Sequence, residues 1–370
     1  VLKLSDGAGQ MSKTSRVALR KEALKDILLS YSHVGNPEKA KMFFNSLGKG
    51  EADWMIPALA NLWFEQGKNS EALYLYRLLL KEEPKSPKVP LRQARIVELA
   101  ARLGDRDLVV HECKKLVEIC MVSGGRKIEA DVSKTKDKEF STNYSADIQE
   151  ARQLADAVIR RFATTWHSES TKTKNETTMK QSSELYELYL KLFAESKYGY
   201  TMKFNYGDLL FRMNEFEKAA KILMEVVYAK KGGKHEQEAI EDAVHAYDEA
   251  MQDATIKYPE KPKDTLPKET PLPPLLSEYV KAIDFYLTNF SQDAKYGPEI
   301  RYKSAKFYYD FNHLEESLKR FSIIIDKYPT HANAEVSVEL TADIYNAYKD
   351  WVRMEECASK MIKRKALIQN

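Results

Sequence analysis

The stretch Asp53–Pro84 reads DWMIPALANLWFEQGKNSEALYLYRLLLKEEP. Counted from Asp53 as position 1, Ile56 falls at 4, Ala60 at 8, Trp63 at 11, Gly67 at 15, Ala72 at 20, Tyr76 at 24 and Pro84 at 32. Apolar residues recur at helical spacing on both sides of Gly67, so two amphipathic helices joined by a tight turn are expected. Small residues at 8 and 20 let the helices cross closely, and large ones at 4, 11 and 24 fill the space beside the crossing. Glycine at 15 supplies the turn. Proline at 32 ends the second helix, which it cannot continue.

The same template recurs. Started at Lys21 it selects Leu24, Leu28, Tyr31, Gly35, Ala40 and Phe44; started at Pro90, it selects Val97, Ala100, Gly104, Cys113 and Leu116. From Tyr200 it selects Gly207, Leu210, Asn214, Ala219 and Leu223; from Pro298, Ala305, Tyr308, Asn312, Ser317, Phe321 and Pro329. From Glu335 it selects Ala342, Tyr345, Ala358 and Met361. This is the pattern of the tetratricopeptide repeat, a unit of about 34 residues. It predicts an all-α, tetratricopeptide-like α-solenoid, a right-handed superhelix of helix–turn–helix hairpins.

Two further hairpins are expected with interruptions: Ile148–Phe162 with Leu185–Phe193, and Ala239–Met251 with Leu276–Phe290, for eight in all. The predicted organisation is a flexible segment 1–14, repeats over 15–121 and a polar insert 122–146. Repeats then run over 147–251 around an insert 164–183, followed by a Pro-rich insert 252–275 and C-terminal repeats over 276–366. The Pro-rich stretch is expected to be extended and polyproline-like.

Composition agrees. Only 14 Gly and 13 Pro occur in 370 residues, too few turn signals for a β-sandwich or barrel. A net charge of +3 with interleaved acids argues for solvated helix faces and against a nucleic-acid groove. Three cysteines, Cys113, Cys120 and Cys357, make no disulfide framework and read as buried thiols. No signal peptide or membrane-spanning run is visible. The chain opens Val1-Leu2-Lys3-Leu4 without methionine and reads as part of something longer.

No active site is legible, and no enzyme is expected. His235-Glu236-Gln237-Glu238-Ala239 lacks the second histidine of a zinc-protease helix, and His111-Glu112-Cys113 spreads its ligands over different helix faces. The glycines of Gly7-Ala8-Gly9, Gly124-Gly125 and Gly232-Gly233 follow no strand and carry no Gly-Lys-Ser/Thr ending. No metal and no cofactor are therefore expected.

The candidate site is the face that the first helix of each hairpin turns inward, at positions 2, 5, 9, 12 and 13. It holds Trp54, Asn61 and Phe64, then Phe204, Asp208, Phe211 and Arg212, then Tyr302, Lys306 and Tyr309. Exposed aromatics flanked by polar groups suit a peptide-binding groove. The Lys and Asn set that grips peptide C-termini in chaperone adaptors is not assembled, because Trp54 and Leu91 stand where Lys would be needed. The expected partners are other proteins or peptide segments, with no nucleic acid.

Three segments resemble tetratricopeptide lipoproteins associated with gliding motility in myxobacteria and related predatory deltaproteobacteria. They are Tyr76–Leu79 through Gln93–Val97, Ala163–Thr171 with Trp166-His167, and Tyr302–Phe321 with Asn312-His313-Leu314-Glu315-Glu316. The Pro-rich insert before Tyr279 also falls where that family has one. The resemblance implies a periplasmic scaffold of a cell-envelope complex, held to the outer membrane by a lipid anchor outside this chain. A cytoplasmic adaptor or chaperone-like protein, and a groove that takes glycans or lipids, are the alternatives.

Overall fold

In the computed structural model, the residues described are 13–124, 138–260, 265–290 and 297–369. Predicted segment 1–14 lies outside them except for residues 13 and 14; of the predicted insert 122–146, residues 125–137 lie outside, while 122–124 and 138–146 are helix rather than insert. Sixteen helices follow one another there as eight consecutive pairs, with no strand among the described residues. The chain divides into two compact units, Val1–Gly199 and Tyr200–Asn370.

The first unit holds α1 (Lys13–Val34), α2 (Pro37–Leu47), α3 (Glu51–Glu65), α4 (Asn69–Glu82), α5 (Val89–Arg102), α6 (Arg106–Gly124), α7 (Lys138–Thr173) and α8 (Glu176–Phe193). The second holds α9 (Gly199–Arg212), α10 (Phe216–Ala229), α11 (Glu236–Asp253) and α12 (Pro274–Asn289). It ends with α13 (Gly297–Asp310), α14 (Leu314–Lys327), α15 (Ala332–Tyr348) and α16 (Trp351–Gln369).

The turn at position 15 is one device used five times. Gly67, Gly104, Asn214, Asn312 and Lys349 all sit there with positive φ, between 57° and 76°. In each case the next residue's N–H reaches back to the carbonyl at position 11. Lys68 donates to Trp63, Asp105 to Ala100, Glu215 to Leu210, His313 to Tyr308 and Asp350 to Tyr345, at 2.8–3.4 Å. That closure satisfies a carbonyl the helix end would leave bare, and it requires left-handed backbone. The first hairpin differs: Gly35 does not take left-handed backbone, Asn36 accepts from the Glu38 N–H at 2.8 Å, and Pro37 starts α2. Lysine is the poorest fit to the left-handed region in the set. Lys349→Gly is expected to stabilise the C-terminal hairpin by about 0.5–1 kcal/mol, read as a higher urea midpoint for its unfolding.

Behind the turns, small residues sit at the crossings as the template requires. Ala40, Ala60, Ala72, Ala219, Ala305 and Ser317 are all fully buried. In the first unit they surround Phe44, Met55, Leu59, Trp63 and Leu75. Trp63 donates Nε1–H to the Ser32 carbonyl at 2.8 Å, and Lys68 Nζ reaches the same carbonyl at 2.6 Å, tying the second hairpin to the end of α1. In the second unit Phe321, Ile324 and Ile344 form one cluster. Arg320 of α14 joins Asp284 of α12 at 2.6 and 2.8 Å, and Ser304 of α13. In the last hairpin α16 turns Cys357 inward and leaves Ala358 exposed, against the template.

The expected insert 164–183 is helix. Its first part continues α7 without a break to Thr173, and its second begins α8 after a single left-handed residue, Lys174. The hydroxyls of Thr164, Ser170, Thr171 and Thr173 bond back to carbonyls three or four residues earlier, so a polar run is compatible with helix. Asn175 caps α8, accepting from the Thr178 N–H at 2.9 Å. Ser182 is buried against α7, donating to the Ala163 carbonyl at 2.8 Å. Short side chains here allow close helix contact, and a composition reading takes the same residues for a loop.

The Pro-rich segment between α11 and α12 has no regular structure at its described residues. Its ends, Ala254 (φ −82°, ψ 128°) and Pro273 (φ −52°, ψ 149°), are close to polyproline geometry. It docks on the α13–α14 turn. Thr270 N–H donates to the Phe311 carbonyl at 3.0 Å, and Asn312 Nδ2 donates to the Lys268 carbonyl at 3.1 Å. His313 Nε2 lies 2.7 Å from the Thr270 carbonyl, and Tyr258 packs on Phe311.

Candidate functional site

The first helices of the hairpins carry the predicted site residues, and the structure divides those residues into two kinds. At position 12 the aromatic ring meets the first helix of the next hairpin. Phe64 is 3% exposed, not an open groove residue, because Arg95 and Arg102 of α5 lie over its ring at 4.5 and 4.0 Å. Arg102 Nη1 also donates to the Phe64 carbonyl at 2.8 Å. Phe204 is likewise corrected from exposed to buried, stacked on His235 with centroids 4.3 Å apart. The reason is shared: successive first helices pack side by side, so their flanking positions face a neighbour.

Tyr302 and Tyr309 are half-buried against Phe321, and Lys306 pairs with Asp310 one turn on. Trp54 and Asn61 remain exposed; Trp54 Nε1 donates to Glu51 at 2.8 Å, and Asn61 Oδ1 accepts from the Tyr76 hydroxyl at 2.6 Å.

Asp208, Phe211 and Arg212 are different, because they line an open cleft. It has a volume of 440 Å³ between α9 and α11, with Phe216 and Leu223 of α10 behind it and Asp242, His245 and Glu249 of α11 opposite. Phe211 packs edge-on to Phe216 at 5.2 Å and meets His245 at 5.0 Å. Arg212 pairs with Asp208 at 2.9 Å, and His245 with Glu249 at 3.4 Å. A second cleft of 480 Å³ lies between α11 and the helices α12 and α13, sharing Asp242 and His245 with the first and adding Glu241, Asp248, Glu299 and Lys303. Carboxylates outnumber cations in both.

The α11 residues were missed at the sequence level because its hairpin was read as interrupted and given no groove positions. A usable signal exists. Asp242 and Glu249 follow Phe211 at the spacing with which Arg95 and Arg102 follow Phe64.

Burial, then the nearby Glu238, Asp208 and Glu241, push the Asp242 carboxyl up to about 6, with His245 opposing. A folded pKa above the unfolded value means the folded chain binds more protons between pH ~4 and ~6, so stability falls as pH rises through that window. Asp242→Asn is therefore expected to leave stability unchanged near pH 4 and raise it by about 1 kcal/mol at pH 7.5, a figure discounted for partial exposure. Urea unfolding at the two pH values measures this.

The thiols offer no nucleophile. Burial raises Cys113 to about 12 and Cys120 to about 11, and raises Cys357 as well. Among the described residues no three His, Cys, Asp or Glu side chains are grouped so as to hold a metal ion.

These features define a helical-hairpin repeat protein, an α-solenoid of tetratricopeptide type. No family model matches the sequence, and no curated protein matches it. Several solved structures are similar at low identity. One is a crystal structure of nearly identical TPR-like repeats from a Podosopora anserina protein assigned as a kinesin light chain. It is 12% identical, covers 56% of this chain and 96% of that one, and has a TM-score of 0.31. The C-terminal part of a TPR repeat-containing protein from Cytophaga hutchinsonii is 14% identical over 75% of this chain and 97% of that one, with a TM-score of 0.29. The P58(IPK) TPR domain is 10% identical over 85% and 97%, with a TM-score of 0.23. Likeness at this level has no bearing on function.

Proposed function

We propose that this chain is a non-enzymatic scaffold that binds other proteins along the first helices of its hairpins. The observation that carries the reading is the open cleft between α9 and α11. It has an aromatic wall in Phe211 and Phe216 and a rim of charged groups in Asp208, Arg212, Asp242 and Glu249. A repeat array presents such surfaces as a by-product of stacking, and side chains on them can change without disturbing the hairpin cores.

The test is cross-linked affinity capture from the native cell, with wild-type chain beside Lys221→Ala and Phe211→Ala. Lys221 is exposed on α10, and it pairs there with Glu217. Proteins retained by wild type and Lys221→Ala but lost by Phe211→Ala support the reading. Retention of the same proteins by all three variants places binding elsewhere.

The finer assignment is to an outer-membrane-associated, periplasmic complex of the gliding-motility kind. It is supported only by the resemblance of the segments around Tyr76–Val97, Ala163–Thr171 and Tyr302–Phe321. No helix of the described residues is long and apolar enough to cross a membrane. Fractionation of the epitope-tagged full-length protein tests this. Recovery with outer membranes supports the envelope reading, and recovery in the cytosol supports the adaptor alternative.

A further inference from the structure

The chain carries the same structural position twice, with opposite charge. In the first unit Phe64 closes position 12 of one hairpin, and α5 of the next lays two guanidiniums on its ring. Glu98 stands between those arginines, 3.0 Å from Arg102 and 3.6 Å from Arg95. Carried to Phe211 in the second unit, the same spacings turn Arg95 into Asp242, Glu98 into His245 and Arg102 into Glu249. Asn61 and Glu65 of α3 become Asp208 and Arg212 of α9. The cation–π site that the first unit fills from within is thus rebuilt with carboxylates in place of the cations. Phe211 is only half-buried and lines an open cleft, where Phe64 is covered.

An aromatic face attracts cations and repels anions, so the α11 carboxylates have no favourable place on the ring. Together with Asp208 they surround that space with negative charge, set against Arg212 and the His245 imidazole. A planar cation that stacks on the ring and accepts carboxylate partners satisfies both halves of the site. Arginine does this better than lysine, because its guanidinium is flat and donates two parallel hydrogen bonds. A divalent ion is a poor alternative, because no metal-holding group of side chains is present among the described residues.

We propose that the α9–α11 cleft receives an arginine side chain from a segment of a partner protein, its guanidinium stacked on Phe211 and paired with Asp242. Glu249 and Asp208 strengthen the field around it, and the neighbouring cleft between α11 and α13, where Glu241 and Glu299 stand beside an Asp248–Lys303 pair, favours further basic residues in the same segment. This rests on the scaffold reading and names the chemistry of its partner. Burial first, and then the neighbouring Glu238, Asp208 and Glu241, raise the Asp242 pKa, and a bound cation would oppose that rise.

The test uses the full chain with methyl-labelled leucine, titrated with N-acetylarginine N-methylamide and observed at Leu223, which lines the cleft. N-acetylcitrulline N-methylamide, of the same shape without the charge, is the comparison. A saturable shift is expected with the arginine compound and none with citrulline. The near-isosteric pair Asp242→Asn/Glu249→Gln is expected to weaken the arginine compound about tenfold or more. Unshifted leucine signals away from the cleft show that the variant is folded. No shift with arginine, an equal response to citrulline, or unchanged affinity in the double variant overturns the proposal. Affinity capture separates this from the broader reading: partners retained by the double variant would leave the scaffold standing without this site.

Discussion

Trp63→Ala is expected to destabilise the first unit by about 3–5 kcal/mol, the cost of removing a large side chain from a closed core. Trp63 has no exposed surface and packs among Phe44, Met55, Leu59 and Leu75. It belongs to two hairpins at once, because its indole N–H bonds to the Ser32 carbonyl at the end of α1. That carbonyl keeps a second donor in Lys68, so the loss is one of packing and inter-hairpin linkage and leaves no bare acceptor. Repeat arrays unfold by segments when a nearest-neighbour interface fails. The urea transition should therefore split, with the α1–α4 region melting first and hydrogen exchange rising there before it rises in the second unit. Trp63→Phe keeps most of the volume and is expected to cost only about 1–2 kcal/mol. Equal losses for the two variants would show that the core collapses around either.

Phe64→Ala and Phe211→Ala, at matching positions of two hairpins, are expected to behave oppositely. Phe64→Ala should cost about 3–4 kcal/mol, because the ring is buried and supports two guanidiniums that lose their partner face. Phe211 is half-buried at the wall of an open cleft, so Phe211→Ala should cost only about 1 kcal/mol. Binding should divide the other way. Phe211→Ala is expected to weaken partner binding about tenfold or more, and Phe64→Ala to leave it unchanged wherever the chain remains folded. Chemical denaturation and partner titration on the same two proteins measure both effects. A stability loss at Phe211 as large as that at Phe64 would assign Phe211 to the core.

The hairpin architecture was legible because one residue position controls each turn. Gly67 and Gly104 announce left-handed backbone by residue type, and Asn214 and Asn312 are the next most tolerant choices. Lys349 could be placed only by counting from its neighbours. The polar run 164–183 misled because loop-like composition and a close helix contact share the same short side chains. Which of Thr164, Ser170, Ser182 and Ser183 face solvent depends on α7 and α8 being paired, a fact outside any local window.

The site was half legible. Counting from the template selected Asp208, Phe211 and Arg212, which do line a cleft, alongside Phe64 and Phe204, which do not. Whether a position-12 aromatic is covered depends on what the following hairpin supplies at two places far along the chain. Arginines there cover Phe64; carboxylates at the same places leave Phe211 open. The partners at those places on α11 became visible only when the hairpins could be compared in register.

The most direct measurement is photocross-linking in the native cell from a benzophenone side chain placed at Arg212, with the same group at Lys221 on α10 as control. Cross-linked peptides are then sequenced. The account predicts adducts from position 212 to another protein, at segments containing arginine, which disappear in Asp242→Asn/Glu249→Gln and do not form from position 221. Adducts confined to position 221, or adducts from position 212 that persist in the double variant, would contradict it.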